Sequence, residues 1–292
     1  MAKSLQDILQ SHRRRTPVVM GVLNVTPDSF WDGGQFMDPP AAVAQARRMA
    51  AEGADIIDVG AESTRPGSGP VAPADQISRL RDVLDQVAGL GVPVSIDTGH
   101  AAVAKFALEA GASIINDISA GLDDPQMFAL ARQAGAAMVL MHRQGPPRTM
   151  QDGPRYADVV AQVRDFLRDR LEAARSAGVD AGRLIVDPGI GFGKTTGHNL
   201  ALLAGLGKLA ELGVPVLVGV SRKRFVGEIT RRDQPADRLF GTLGAVLACW
   251  ARGATIFRVH DVAAAREALA VAWAIDCAGP EPAAAGPGPR GG

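Results

Sequence analysis

From Pro17 to Ile275, apolar runs of strand type alternate with segments of helical period, eight times over, in a chain of 292 residues with 47% apolar side chains. The number of units and their mean length predict an α/β fold, a (β/α)8 TIM barrel forming a single domain, over an open doubly wound sheet. A third observation agrees with this: the strand-like runs end in polar residues, as the loop-bearing end of a barrel requires.

Residues 1–16 read as a polar lead-in, a short helix or a tail, and residues 17–277 as the barrel. Val18–Val25 is the first strand, and Ala41–Glu52 the first helix, with Asp38 as its N-cap and Pro39 in its first turn. Asp55–Val59, Val92–Ile96 and Ser113–Asn116 follow as strands. Between them lie helices over Ala74–Leu90 and Ala101–Ala110, the latter ended by Gly111. Asp124-Pro125 opens the next helix, Ala136–Met141 is the fifth strand, and Arg143–Arg155 is a long loop. The helix after it carries Val159, Val163, Phe166, Leu167 and Leu171 on one face. Leu184–Asp187, Val214–Val220 and Thr255–Val259 complete the strands, with helices near 199–212, 236–252 and 261–276. Residues 278–292 are mostly Gly, Pro and Ala and are expected to be disordered.

Thirty-one basic residues balance thirty-one acidic ones, so no global field favours nucleic acid or an anionic membrane. No window reaches about 18 uninterrupted apolar residues, and Arg13-Arg14-Arg15 precedes no signal-like run. A cytoplasmic protein is expected. Cys249 and Cys277 lie in apolar helical patterns and read as buried small hydrophobes.

The stretch Arg183–Thr195, R-L-I-V-D-P-G-I-G-F-G-K-T, ends a buried strand in the carboxylate of Asp187. Glycines at 189, 191 and 193 allow tight turns and close approach to a ligand, with Lys194 as a cation beside them. The spacing fits neither the phosphate loop G-x-x-x-x-G-K-[ST] nor the dinucleotide motif G-x-G-x-x-G.

The other strand exits hold Asn24, Glu62-Ser63-Thr64-Arg65, Asp97, Asn116-Asp117, His142, Ser221-Arg222-Lys223, and Arg258 with His260. Asp117 and Glu62 read as structural, capping a helix or satisfying a loop. Arg65, Arg258, His260 and Asn24 gather cations and an amide donor, which predicts an anion pocket. Asp97, Asn116, Asp187 and Lys223 match a flat heterocycle offering N–H and amino donors beside a carbonyl. The alternative for these residues is an ion-pair network bracing the barrel. Both subsets at one mouth favour a heterocycle that carries a phosphate group. The loops Thr26–Gly34 and Ser63–Gly69 are polar and rich in turn residues, suited to closing over a substrate, with Phe30 and Trp31 as lids or as rim contacts.

Taken together, Gly21–Gly34 (G-V-L-N-V-T-P-D-S-F-W-D-G-G), Glu62–Gly67 (E-S-T-R-P-G), Ser95–Thr98, Ile115–Ile118, Leu140–His142 with Gln144-Gly145, Asp187–Lys194, Ser221–Lys223 and Arg258–Asp261 closely resemble the dihydropteroate synthase family. The resemblance runs in order from about Pro17 to Ile275. It implies condensation of hydroxymethyl-dihydropterin diphosphate with 4-aminobenzoate to give dihydropteroate and diphosphate, assisted by Mg²⁺. It also implies a homodimer and sensitivity to sulfonamides. Carried over residue by residue, it implies that Asp97, Asn116, Asp187, Lys223 and Thr64 bind the pterin. Asn24, Arg65, Arg258 and His260 would take the diphosphate, with Asn24 as the metal ligand. Phe30, Thr64, Arg65, Pro66, Phe192, Lys223 and Ser221 would border the aminobenzoate, and Asp97, Lys223, Arg65 and Asp187 would be catalytic.

The chain departs from the family pattern at Trp31, His100, Arg143 and Arg224, none of them assigned to chemistry. Two rivals remain open: a pterin-binding methyltransferase domain, which has no need of the diphosphate set, and a non-catalytic paralogue. Helices over Gly241–Trp250 and Ala263–Trp273 offer apolar surface for a dimer or for packing onto the barrel.

Overall fold

The computed structural model describes residues 3–26, 38–62, 69–146 and 148–278. Two short helices come first, α1 (Leu5–Leu9) and α2 (Ser11–Arg14), then β1 (Val18–Asn24), α3 (Pro39–Ala51), β2 (Ile56–Gly60), α4 (Pro73–Leu80), α5 (Leu84–Ala88) and β3 (Val94–Asp97). The middle of the chain gives α6 (Ala101–Glu109), β4 (Ile114–Asp117), α7 (Met127–Ala134), β5 (Ala137–Met141), α8 (Val159–Ser176) and β6 (Leu184–Asp187). It ends with α9 (Thr196–Ala204), α10 (Leu206–Ala210), β7 (Leu217–Val218), α11 (Arg224–Thr230), α12 (Leu239–Ala251), β8 (Ile256–Val259) and α13 (Val262–Ala278).

All eight strands are parallel, in the order β6-β5-β4-β3-β2-β1-β8-β7. A bridge from Val186 to Val216 joins the two ends, so the sheet closes into a barrel. Side chains alternate along each strand, and this parity sorts them into two cores. Val19, Leu23, Ile57, Val59, Ile96, Ile115, Leu140, Val186 and Phe257 point outward into the layer under the helices. Val18, Met20, Ile56, Ile114, Ala137, Val139, Ile185, Leu217 and Ile256 point inward and fill the lower barrel.

The lead-in has a definite task. Ile8 and Leu9 of α1 join the inner core from below and plug the barrel. Ser4 caps α1 in a reciprocal pair with Asp7. Lys3 donates to Asp55 at 3.0 Å, and Ser11 Oγ bonds Thr255 Oγ1 at 3.0 Å, tying the plug to the strands it closes.

Several expected elements shift. The helix expected over Ala74–Leu90 is two, α4 and α5, separated at Arg81–Val83. The helix after Asp124-Pro125 starts at Met127; Asp124 Oδ1 accepts from Gln126 N at 3.0 Å at its opening, and Oδ2 from Ala101 N of α6 at 2.8 Å. Asp38 precedes α3 and Pro39 opens it as expected, but the Asp38 side chain caps nothing. The run expected as strand over Val214–Val220 is regular only at Leu217–Val218, and α11 lies within the basic stretch after it. Cys249 is buried as expected. Cys277 is exposed, because the last turns of α13 run past the barrel wall. Ala278 is still helical, and the tail from 279 onward lies outside the described residues. Among the described residues no helix is long and apolar enough to cross a membrane.

Ile8→Ala should leave a cavity under the barrel and lower the unfolding free energy by about 2–5 kcal/mol in urea titration. The same truncation at exposed Leu122 should change it by less than about 0.5 kcal/mol.

Candidate active site

The parity that fills the lower barrel with hydrocarbon lines its upper end with polar groups. Asn24, Asp58, Asp97, Asn116, Asp187 and Arg258 all occupy inward positions of their strands, above the apolar layers. Asp117 and His142 have the opposite parity. Asp117 turns into its own loop and accepts from Ser119 N at 2.7 Å and Gly121 N at 2.7 Å. Glu62 also holds a loop, accepting from Val71 N at 3.1 Å and Gln76 Nε2 at 2.8 Å.

Arg258 is the hub of the upper layer. Its Nε donates to Asp58 Oδ2 at 2.6 Å and its Nη2 to Asp97 Oδ2 at 2.8 Å, while Asn116 Nδ2 donates to the same Asp58 oxygen at 3.2 Å. Burial alone would lower the pKa of Arg258, but the flanking carboxylates outweigh it and keep the guanidinium protonated. Burial pushes the pKa of Asp97 up, and Arg258 opposes the shift. Among the described residues Asp97 Oδ1 is buried with no hydrogen-bond partner, as is Asp58 Oδ1 beneath it. Asp58 was absent from the expected set because only strand exits were searched; inward parity along Ile56–Gly60 is the signal that finds it.

Asp187 ends β6 and accepts from Gly189 N at 2.7 Å. Burial raises its pKa to about 6 against that bond and against the charges of Lys223, Lys194 and Arg258. The glycines after it pack closely against other parts of the protein. A Cβ on Gly189 would stand 1.8 Å from His142 O, and one on Gly193 2.4 Å from Gln144 O. Gly191 gives room to Lys223, whose Nζ would lie 3.5 Å from a Cβ there. All three glycines have positive φ.

Lys194, expected to offer a cation to a ligand, is instead turned into its own loop. It donates to Gly189 O and Phe192 O, both at 2.9 Å, and meets His142 Nδ1 at 2.9 Å. Burial lowers its pKa to about 7, with Asp187 opposing. Burial, together with the charge of Lys194, pushes His142 down to about 3, so that ring is a neutral acceptor. Tyr156 Oη and Asn199 Oδ1 hold Gly193 O and Gly191 N, which completes a rigid wall.

Lys223 lies over the Phe192 ring, 4.5 Å from its centroid. Ser221 Oγ and His260 Nδ1 are 3.0 Å apart and join the exits of β7 and β8. Arg222 holds the same junction through Asp261, with Nε to Oδ2 at 3.0 Å. Asn24, Asp97, Asn116, Asp187, Phe192, Ser221, Lys223, Arg258 and His260 thus line one cleft of about 1380 Å³, more than a single flat heterocycle needs. Phe30, Trp31, Thr64, Arg65 and Pro66 lie outside the described residues. Two departures from the family pattern are accounted for at the surface: Arg143 pairs with both oxygens of Asp123, and Arg224 with Glu228.

The model of the pterin binding enzyme family matches residues 20–260. A dihydropteroate synthase of Neisseria meningitidis serogroup B is 47% identical over 260 residues, covering 87% of this chain and 91% of that protein. A Xanthomonas albilineans dihydropteroate synthase solved with 4-aminobenzoic acid superposes with a TM-score of 0.84 at 46% identity, covering 89% of this chain and 93% of that one. The Yersinia pestis dihydropteroate synthase, solved with a sulfonamide drug complex, gives 0.85 at 40% identity, covering 90% and 95%. Sequence, barrel and polar cleft agree: the chain belongs to the pterin-binding enzyme family, among the dihydropteroate synthases.

Proposed function

We propose that the chain is a transferase that joins hydroxymethyl-7,8-dihydropterin diphosphate to 4-aminobenzoate, giving 7,8-dihydropteroate and diphosphate. The observation that carries this reading is the pair of chemistries at one barrel mouth, buried acceptors beside a cationic rim, in a chain of this family. Asp97, Asn116 and Asp187 accept from the amino and N–H groups of the pterin, while Lys223 donates to its carbonyl edge. Arg258 and His260, with Arg65 from the stretch Ser63–Gly69, take the diphosphate. Phe192, Ser221 and Lys223 border the aminobenzoate, with Phe30, Thr64 and Pro66 from the loops. Substrate mimicry there makes the enzyme a sulfonamide target.

In the favoured order the leaving group departs first. The C–O bond from the pterin methylene breaks and its electron pair leaves with diphosphate. The positive charge spreads into the electron-rich dihydropterin ring, and Asp97 offsets it. The weakly nucleophilic aromatic amine then attacks the methylene, and the resulting aminium loses its proton to solvent or to released diphosphate. No general base is required. Closure of Thr26–Gly34 and Ser63–Gly69 keeps water from the cation.

Mg²⁺ fits the donor set. Among the described residues no three His, Cys, Asp or Glu side chains gather as a metal cage. Asn24 Oδ1 and Asp97 Oδ2 both lie 3.8 Å from the point where a Cβ of Gly60 would stand. Such sparse oxygen ligation suits an ion that keeps its waters and rides on substrate phosphates, with Asn24 as its protein ligand. When bound, it neutralises charge on the departing diphosphate.

The chain acts in the cytoplasm as a homodimer. Phe240 at 84% exposure, Val271 at 62% and Ile275 at 71% give α12 and α13 an apolar surface that supports this pairing.

The deciding measurement is diphosphate release with Mg²⁺, with and without 4-aminobenzoate. Release accompanied by dihydropteroate is expected, and residual release without the amine supports departure first. No release with pterin binding intact favours the methyltransferase or non-catalytic reading. Asp97→Asn should keep its thermal unfolding profile and lose about 10²-fold or more in kcat; a near-normal rate removes its cation-stabilising role. Asp187 accepts N–H groups best when ionised, and its pKa is raised to about 6. Asp97, raised to about 7, takes up its proton first, so pterin affinity should fall in two steps as pH drops through about 7 and then about 6, and Asp187→Asn should remove the lower step.

A further inference from the structure

Asp58 lies one inward step beneath the ligand-facing acids. Its neighbour two residues along β2, Gly60, is the register partner of Asp97, and Asp97 is the register partner of Asn116. It is fully buried, and its Oδ2 receives both Arg258 Nε at 2.6 Å and Asn116 Nδ2 at 3.2 Å.

The two ends of an asparagine amide are nearly equal in shape and opposite in hydrogen-bonding sense. Packing alone does not decide which end of Asn116 meets a ligand. A carboxylate accepts only, so Asp58 draws the NH₂ end toward itself, leaving Asn116 Oδ1 and the second N–H for the cleft. The same oxygen holds Arg258 by its Nε and so keeps Nη2 on Asp97. Asp58 thus orders two groups of the site from below.

We propose that Asp58 is a positioning residue that sets heterocycle specificity. By holding the Asn116 amide in one sense, it selects a flat ring with an amino group beside a ring nitrogen, and rejects one with a carbonyl at the amino position. An amino group donates to Oδ1, and the ring nitrogen accepts from the second N–H. A carbonyl in the first place meets Oδ1 oxygen to oxygen, and turning the amide over would reverse the preference. The inference rests on the pterin reading above and names the residue that enforces it.

Calorimetric binding of pterin and of lumazine, its dioxo counterpart, to the full chain tests this. Wild type should prefer pterin by more than about tenfold, one hydrogen bond exchanged for a repulsion. Asp58→Ala frees the amide and should lower the ratio, by loss of pterin affinity more than of lumazine affinity, with Asp187 keeping what remains of it. Asp58→Asn supplies one oxygen, enough to receive both donors, and should restore the wild-type ratio to within about threefold. A wild-type ratio in Asp58→Ala, equal losses for both ligands, or equal loss of the ratio in the two variants overturns the proposal. Failure of wild type to bind either heterocycle overturns the pterin reading itself, and the inference with it. Should Asp58→Ala fail to fold, an atomic-resolution structure of wild type with pterin decides: Asn116 Nδ2 toward Asp58 and Oδ1 on the ligand amino group are expected, and the reversed amide overturns the proposal.

Discussion

Inside a closed eight-stranded barrel, half of every strand's side chains must share one narrow interior, and what occupies each level is settled by position along the strand. Below, Val18, Ile56, Ile114, Ile185 and Ile256 exclude water, with Ile8 and Leu9 closing the floor. Above, Asp58, Asp97, Asn116, Asp187 and Arg258 stand on that dry base. Their electrostatics follow from the placement. A carboxylate this far from water is costly unless paired, and the guanidinium shared by Asp58 and Asp97 supplies the pairing.

This arrangement joins the two readings that the residue types left open. Arg258, expected as part of an anion pocket, braces two acids, as an ion-pair network would. It also lines the cleft together with Asp97. The brace and the cleft wall therefore share Arg258 and Asp97. The buried acceptors hold their geometry before any ligand arrives, which reduces the ordering cost of binding.

Much of the barrel was legible because its signals are local. Leu184–Asp187 reads as a strand from four residues, and α8 from the spacing of Val163, Leu167 and Leu171. Asp97, Asn116, Asp187 and Lys223 could be singled out because each ends a strand or follows one closely. What escaped was set by distant parts of the chain. Lys194 looks like a ligand-facing cation until the carbonyls of Gly189 and Phe192 and the His142 ring are seen around its amine. A short helix in the lead-in was legible, but not that Ile8 and Leu9 of α1 plug the barrel, and α11, at seven residues, is hidden in a basic run. Asp58 sits mid-strand among apolar residues, and only parity, applied below the strand exits, marks it as inward.

The plug under the barrel bears on how the chain is made. Ser11 bonds Thr255, 244 residues away, and Arg15 O accepts from Trp250 Nε1, 235 residues away. β1 likewise pairs with β8 as well as with β2. On the ribosome these helices emerge long before the strand they lock onto, so the floor of the barrel is made early and completed late. Until β8 is free, Ile8, Leu9 and one edge of β1 stay without their final cover. The nascent chain therefore carries an open strand edge and an apolar floor until β8 is made, the interval in which a holding chaperone has most to protect.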